Sequence, residues 1–195
     1  MSDDFPVEEL LHAVIINYKK KDLTEKAVIS FIKFYPNVRL LIIDNASNDE
    51  STTWLQDFSQ QFSSTVSLIT NQQNIHHGPA MDQAIKSLES KFVFFMDSDC
   101  EIQRSELLES MLESLREHNG YAIGNLVYVD NRGYNVTKSD EAYPYVQPFC
   151  TIINREKYLL LPSFERHGSP CLQNMVVASS RGFKLRSEEH TSELQ

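Results

Sequence analysis

The sequence predicts an α/β fold in which a mostly parallel sheet is flanked by helices on both faces. Short apolar runs alternate with segments whose apolar positions follow a helical period, which is the pattern of repeated strand and helix units. Each run turns polar at its carboxyl end, as buried parallel strands do. A chain of 195 residues can bury one substantial core but is short for two domains, so a single domain is predicted.

The first half of the chain carries the clearest pattern. Asp22 with Glu25 resembles a capping box at the start of a helix that ends before Pro36, and Pro79 suits the first turn of a later helix. The fourth strand ends abruptly in Asp97. The predicted strands are 13–18, 38–43, 66–69 and 92–96, and the helices between them are 22–35, 52–62 and 80–88.

The second half is less regular. An apolar stripe predicts a helix over 107–115, and Asn154 can cap a short helix that reaches Leu160. Gly182 ends the last predicted helix. The remaining predicted elements are the strands 121–129, 147–153 and 182–185 and the helix 171–181.

The segment 186–195 is polar and does not continue the pattern that precedes it. It resembles a translated sequencing adaptor more than a protein segment, and it has no apolar face to bury. The sequence therefore predicts a domain over 1–185 and a non-native or disordered tail over 186–195.

The net charge of -9 and the isoelectric point near 5.1 argue against a general binder of nucleic acids or anionic membranes, but they leave room for a local basic pocket. No secretory leader and no apolar run of roughly 18 residues is visible, so the expected location is the cytoplasm, including the inner face of the membrane as a peripheral site. Cys100, Cys150 and Cys171 are widely spaced and have no partner at zinc spacing. They are expected to be buried thiols, not disulfide or zinc ligands.

Polar clusters follow all four predicted strands of the first half. The carboxyl ends of parallel strands meet at one edge of an open sheet, where ligands bind. One polar loop after a strand is ordinary, but four at one edge favour a binding site. The clusters are Asn17 with Tyr18, Asp44 with Asn45, the loop 71–78, and Asp97-Ser98-Asp99.

Asp97 and Asp99 are the most informative of these residues. Two carboxylates two positions apart on a strand-ending turn can share one hard divalent cation, and without a cation they repel each other. A cation held there would neutralise a diphosphate leaving group. The alternative is a turn in which one aspartate caps the helix that begins near Ser105.

Together these segments resemble the nucleotide-sugar glycosyltransferases of the GT-A fold, in particular the large inverting family 2 that includes many bacterial cell-surface polysaccharide enzymes. The resemblance covers about residues 10–185 and rests on four motifs in the right order. It implies a GT-A-like, Rossmann-like single domain. The motifs are 13–18 (AVIINY), 42–49 (IIDNASND), 71–84 with Asn71, Asn74, Gly78, Pro79, Ala80 and Ala84, and 94–99 (FFMDSD).

The resemblance implies transfer of a hexose from a nucleotide-diphosphate sugar to a hydroxyl of a saccharide, lipid or other acceptor, with inversion. It implies Mn²⁺ or Mg²⁺ as the cofactor and Asp97 and Asp99 as the metal ligands. The implied nucleotide-binding residues are Asn17, Tyr18, Asp44, Asn45, Asn74, Gly78 and Asp97.

Structural interpretations compete with several of these roles. Asn17 and Tyr18 can be ordinary residues at a strand end, and Asp44 can form an Asx turn. Gly78 can be a loop glycine before a helix, although a glycine also allows the backbone to approach a ligand closely. The neighbouring His76 and His77 are expected to be solvated and receive no role.

The sequence departs from the family pattern where the catalytic base is expected. Relatives carry an acidic residue there, often Glu-Asp, which deprotonates the acceptor hydroxyl. The corresponding stretch here, 167–174 (HGSPCLQN), has no carboxylate. Glu165 and His167 remain as candidates for the base. Relatives also continue beyond the strand 182–185 with loops that close the site, so a C-terminally truncated domain is expected.

Two other functions stay open. A non-catalytic nucleotide-sugar binding module would account for the missing base and the short carboxyl end. A phosphohydrolase with an aspartate nucleophile also places Asp-x-Asp after an apolar strand. Such enzymes usually begin near that strand and carry Thr or Val two residues after the second Asp. Here Glu101 holds that position, and a long α/β pattern precedes the motif.

Overall fold

The computed structural model describes residues 6–165 and 168–187, which form seven strands and seven helices. The strands are β1 (Leu11–Asn17), β2 (Arg39–Asp44), β3 (Val66–Thr70), β4 (Phe92–Asp97), β5 (Ala122–Val129), β6 (Tyr143–Asn154) and β7 (Leu185–Ser187). The helices are α1 (Val7–Leu10), α2 (Lys21–Phe34), α3 (Glu50–Gln61), α4 (His77–Ser87), α5 (Leu107–Glu117), α6 (Arg155–Tyr158) and α7 (Leu172–Ser180).

The described strands form one sheet with the order β3-β2-β1-β4-β6-β5-β7. β1 pairs in parallel with both β2 and β4, and β2 pairs in parallel with β3. β6 is antiparallel to its neighbours β4 and β5, whereas β7 is parallel to β5. The predicted mostly parallel α/β sheet in a single domain is therefore confirmed.

Helices cover both faces of the sheet. Helices α2, α3 and α5 pack on one face, where Phe31 and Leu108 are fully buried. Helices α4, α6 and α7 pack on the other face, where Met81 and Met175 are fully buried. Burying each such side chain is worth about 2 kcal/mol. Because both faces are covered, the central strands are continuous apolar runs.

Some element boundaries differ from the predicted ones. α4 begins at His77, three residues earlier than predicted, because Pro79 is tolerated anywhere in the first turn, where its missing N–H needs no partner. β6 begins at Tyr143, four residues earlier than predicted. Its residues 143–146 pair with β5 alone, before the strand reaches the part that also pairs with β4. No helix within the described ranges is long and apolar enough to cross a bilayer.

The last strand includes two residues of the predicted tail. Arg186 pairs with Ile123 and Ser187 pairs with Gly124, so these two residues belong to the sheet. Strand pairing uses backbone groups, and polar side chains are common on an edge strand. The rest of the predicted tail, 188–195, lies outside the described residues.

Candidate functional site

A cavity of about 210 Å³ opens at the carboxyl edge of the sheet, beside the ends of β1 and β4. The chain builds β2 and β3 on one side of β1 and then crosses to β4 on the other side. Such a change of direction leaves a crevice in which α/β proteins bind ligands. The lining residues are Ile16, Tyr18, Asn45, Asn74, His76, His77, Asp97, Ser98 and Asp99.

The cavity brings together most of the residues predicted to bind nucleotide and metal. Tyr18, Asn45, Asn74, Asp97 and Asp99 all line it. The other three predicted residues do not lie on its wall. They are Asn17, Asp44 and Gly78, and all three are buried.

Asn17 and Asp44 form a buried polar network beneath the cavity. They pair across the ends of β1 and β2, and both are fully buried. The Asn17 side-chain amide donates to Asp44 Oδ1 at 3.1 Å and to the hydroxyls of Ser47 and Ser51 at 2.9 Å. Asn17 Oδ1 accepts from the Thr24 hydroxyl at 2.8 Å. Asn17 therefore ties the end of β1 to α2, to α3 and to the loop after β2.

The Asp44 carboxylate is occupied within the protein. It accepts from the Thr52 hydroxyl at 2.6 Å, from the Ser47 backbone N–H at 3.3 Å and from the Ser47 hydroxyl. A nucleoside contact would need an accessible oxygen, and Asp44 is fully buried. The side chain that reaches the cavity is that of the next residue, Asn45.

Asn45 holds the loop 71–76 against the sheet edge. Its Nδ2 donates to Asn74 Oδ1 at 2.9 Å, and its Oδ1 accepts from the Ile75 N–H and from Asn71 Nδ2, both at 3.1 Å. Both polar atoms of the side chain are therefore used. A satisfied buried network of this kind fixes a loop in one conformation.

His76 has a backbone conformation that is normally reserved for glycine. Its φ is 70° and its ψ is 170°. The Asn45 and Asn74 network holds it there, because the His76 N–H donates to Asn74 Oδ1 at 2.8 Å and its carbonyl accepts from Asn45 Nδ2 at 3.4 Å. Such a conformation costs about 1 to 3 kcal/mol in a residue with a side chain, and strain of this kind concentrates at functional sites.

Replacing His76 with glycine is expected to raise the free energy of unfolding by about 1 kcal/mol. The gain is the released backbone strain, reduced by the greater freedom of glycine in the unfolded chain. Urea unfolding measures it. Asn48→Gly is the matched control, because Asn48 has a φ of 51° that asparagine adopts easily, and its replacement should be nearly neutral. A lower stability of His76→Gly would show that the His76 backbone is not strained.

Asp97 is a carboxyl group in an unfavourable setting for an anion. Burial is the main reason, and the charge of Asp99 adds to it, so that the pKa of Asp97 rises from 3.8 to about 6. His77 Nε2 lies 3.7 Å from Asp97 Oδ1. Asp99 itself is exposed at the mouth of the cavity. A bound cation would relieve the repulsion that both aspartates create.

The chemistry of the two aspartates fits a hard divalent cation. Carboxylate oxygens are the preferred protein ligands of Mg²⁺ and are also suited to Mn²⁺. No group of three His, Cys, Asp or Glu side chains within the described ranges is assembled for a metal. Asp97 and Asp99 would therefore supply only part of a coordination sphere, and the oxygens of a bound ligand and water would supply the rest.

Replacing Asp97 with asparagine is expected to stabilise the metal-free protein. Because the folded-state pKa of about 6 exceeds the ordinary 3.8, the folded protein binds this proton more tightly than the unfolded chain. Stability is therefore lost as the pH rises between these two values. A third of the Asp97 side chain is exposed, and solvent screening weakens the effect. The expected increase in the free energy of unfolding at about pH 8 is therefore roughly 1 to 2 kcal/mol, or about 2 to 6 °C in Tm.

The pH dependence of this effect provides its control. At about pH 4 the gain should vanish, since Asp97 is then already protonated in the folded protein. Asp57→Asn removes an exposed aspartate of α3 and should leave the Tm unchanged at both pH values. A Tm of Asp97→Asn below that of the wild type at the higher pH would contradict the raised pKa.

The stretch expected to hold the catalytic base contains a buried thiol. Cys171 is fully buried, and its pKa lies well above the usual range because of burial first and the charge of Asp97 second. The position directly before α7 therefore holds a protonated thiol and not a base. Glu165 is exposed and is not among the residues that line the cavity, and His167 lies outside the described residues.

The two histidines of the cavity were not predicted as site residues from the sequence. His76 and His77 both line it, although they received no role. The available signal was their position immediately before Gly78 and Pro79. A helix that starts there must approach the carboxyl edge of the sheet, and its first residues then face the crevice.

A mostly parallel Rossmann-like sheet with Asp-x-Asp beside a cavity at the point of chain reversal is the arrangement that the resemblance to GT-A proteins implied. Residues 13–179 match the family described as Glycosyl transferase family 2, and the chain belongs to this family. No curated protein matches the chain by sequence. The predicted family is confirmed, and the phosphohydrolase alternative is set aside.

Solved structures of glycosyltransferases share the fold. Mannosyltransferase PcManGT from Pyrobaculum calidifontis, in complex with GDP-Man and Mn²⁺, superposes with a TM-score of 0.72 at 11% identity, over 93% of this chain and 55% of that one. GalNAc-T7 with UDP, GalNAc and Mn²⁺ gives 0.68 at 16% identity, over 90% and 41%. S. aureus TarS 1-349 with UDP-GlcNAc gives 0.60 at 17% identity, over 85% and 53%. The chain thus spans about half the length of these proteins.

Proposed function

We propose that the protein transfers a sugar from a nucleotide-diphosphate donor to an acceptor hydroxyl, with Mn²⁺ or Mg²⁺ held by Asp97 and Asp99. The observation that carries this proposal is the position of the two aspartates. They lie at the end of β4, in a cavity at the point of chain reversal, and Asp97 is already disfavoured as a lone anion. Family membership supports the reaction class.

The ligands of the similar structures support the donor class. PcManGT was solved with GDP-Man and Mn²⁺, GalNAc-T7 with UDP, GalNAc and Mn²⁺, and TarS with UDP-GlcNAc. All of these are nucleotide sugars or their components. We propose the same chemical class for this chain, without a choice of base or sugar.

The cavity suggests how such a donor lies. We place the nucleoside against Tyr18, Asn45 and Asn74, and the diphosphate toward Asp97 and Asp99. Tyr18 is 41% exposed and can offer its ring to a base. Asn45 orders the loop 71–76 beside it. Three buried residues beneath the cavity would then hold the binding residues in position. They are Asn17, Asp44 and Gly78.

The proposed reaction is inverting and proceeds by direct attack of the acceptor hydroxyl on the anomeric carbon. A cation bound there would supply positive charge that neutralises the departing diphosphate. Asp97 and Asp99 would hold that cation, and a base removes the proton of the hydroxyl as the new bond forms. Glu165 and His167 stay the candidates for this base.

A second candidate function is a nucleotide-sugar binding module without turnover. The observation that favours it is Cys171, a buried and protonated thiol in the stretch where relatives carry an acidic base. Such a module would bind the donor and the metal in the same cavity. The two functions therefore differ in turnover and not in affinity.

Release of nucleoside diphosphate tests the proposed function. The full chain is incubated with UDP-sugars and GDP-sugars, a mixture of hydroxyl acceptors and Mn²⁺, and the released UDP or GDP is quantified. The proposal expects metal-dependent release from at least one donor, and none from Asp99→Asn. Binding without release would identify the binding module. Neither binding nor release with any donor would contradict both functions.

A further inference from the structure

A small basic and apolar surface lies at the edge of the sheet opposite the cavity. β6 ends where Asn154 pairs with Phe92, the first residue of β4, and α6 begins there. β7 begins where Leu185 pairs with Ala122, the first residue of β5, shortly after α7 ends. We call the surface between them the basic edge. Its residues are Lys157, Leu159, Leu160, Arg181 and Lys184.

Direct contacts join the residues of the basic edge. Arg181 Nη1 donates to the Leu160 carbonyl at 2.6 Å, and the Leu160 N–H donates to the Lys157 carbonyl at 3.1 Å. Lys157 Nζ lies 5.8 Å from the ring centre of Phe183, the residue directly before Lys184. The five residues therefore form one continuous surface.

Within the described part of the chain, the positive charges of the basic edge have no carboxylate partner, since Lys157, Arg181 and Lys184 form no ion pair there. The Lys157 ammonium donates instead to Asn119 Oδ1 at 2.8 Å and to the Gly120 carbonyl at 3.0 Å. Glu156 is an exposed acidic residue on the same short helix and leaves an excess of positive charge. This excess stands out in a chain with a net charge of -9.

Two adjacent leucines project from this surface. Leu159 is 49% exposed and Leu160 is 64% exposed, whereas the following Leu161 packs against the core. Covering this exposed leucine pair with an apolar partner is favourable, because it removes apolar surface from water. A partner that combines negative charge with an adjoining apolar layer satisfies both groups at once. An anionic lipid bilayer has this chemistry.

We propose that the basic edge docks the protein on the surface of an anionic bilayer. The two leucines enter the boundary between headgroups and acyl chains, and Arg181 and Lys184 lie at the level of the lipid phosphates. Lys157, whose ammonium donates to Asn119 and Gly120, adds positive charge beside them. Because the cavity lies at the opposite edge of the sheet, it then faces the water, where a soluble nucleotide sugar can reach it. The inference does not depend on the proposed transferase activity.

Vesicle co-sedimentation of the full chain tests the docking surface. Vesicles of phosphatidylcholine with about 30% phosphatidylserine are compared with pure phosphatidylcholine. Binding is expected on the anionic vesicles alone and should weaken in about 0.5 M NaCl, because salt screens the lipid charges. The variants Leu159→Ser with Leu160→Ser, and Arg181→Gln with Lys184→Glu, should each lower the partition coefficient about tenfold or more.

A matched pair on α2 serves as the control. Ile29→Ser with Lys26→Glu removes a 51% exposed apolar residue and an exposed cation from the other face of the sheet, and it should leave vesicle binding unchanged. All substituted leucines and cations are at the surface, and a thermal melt of each variant checks that it is folded. Nucleotide affinity should be the same in every variant.

Three results would overturn the inference. The wild type could fail to bind anionic vesicles, which would leave the basic edge to an acidic protein partner. It could bind neutral and anionic vesicles equally, or the variants of the basic edge could bind as tightly as the α2 control. If the wild type binds no nucleotide, this result would contradict the proposed function and leave the docking surface unaffected.

Discussion

Replacing Asp99 with asparagine is expected to abolish most of the gain in nucleotide affinity that Mn²⁺ provides, about tenfold or more. The change keeps the shape of the side chain and removes one negative charge. A structural cap tolerates such a change with a loss of about 1 kcal/mol or less, but a metal ligand does not. The metal-free Tm should not fall, because the Asp99 charge is one cause of the unfavourable setting of Asp97.

Calorimetric titration with UDP and GDP, with Mn²⁺ present and again with a chelator, measures the effect in both proteins. Asp57→Asn, on the exposed side of α3, is the matched control and should keep the full metal enhancement. Equal enhancement in the wild type and in Asp99→Asn would remove Asp99 from the metal site. The proposed function would then depend on family membership alone.

Replacing Asp44 with alanine is expected to lower the free energy of unfolding by about 2 to 4 kcal/mol. The carboxylate is fully buried and accepts hydrogen bonds from Asn17, Ser47 and Thr52. Removing it leaves buried donors without their acceptor, and each such loss costs about 1 to 3 kcal/mol. Urea unfolding, followed by circular dichroism, measures the change.

The neighbouring aspartate of the same loop provides the control. Asp49 is exposed and caps α3 by accepting from the Ser51 N–H at 2.9 Å, so Asp49→Ala should cost about 1 kcal/mol or less. If Asp44→Ala does not fold, Asp44→Asn retains one acceptor oxygen and should show a smaller loss. Normal stability with a loss of nucleotide affinity would instead place the Asp44 carboxylate on the nucleoside, as the family resemblance implied.

The apolar pattern was sufficient to predict the sheet and the edge at which the site lies. Strands such as β1 and β4 are buried on both faces, so the polar residue that follows each apolar run marks its carboxyl end. Because the four strands are parallel to one another, their polar ends had to meet at one edge. Asp97 and Asp99 could be placed at this edge for the same reason, because they directly follow the apolar run of β4.

The direction of individual side chains at that edge could not be predicted. Asp44 and Asn45 are adjacent polar residues, and the sequence alone does not show which of them faces the cavity. Burial of Asp44 depends on Asn17, 27 positions earlier, and on Thr52 of α3, which become neighbours only in the fold. The glycine-like backbone of His76 likewise depends on the distant Asn45.

Electron paramagnetic resonance of Mn²⁺ shows directly whether the protein and a nucleoside diphosphate hold the metal together. UDP or GDP is titrated into Mn²⁺ with either the wild type or the double variant Asp97→Asn, Asp99→Asn. Because the nucleotide also binds Mn²⁺ by itself, the comparison between the two proteins carries the result. A protein-bound Mn²⁺ signal is expected with the wild type, and only the nucleotide-bound signal with the double variant. Identical spectra from the two proteins would contradict a metal site at Asp97 and Asp99.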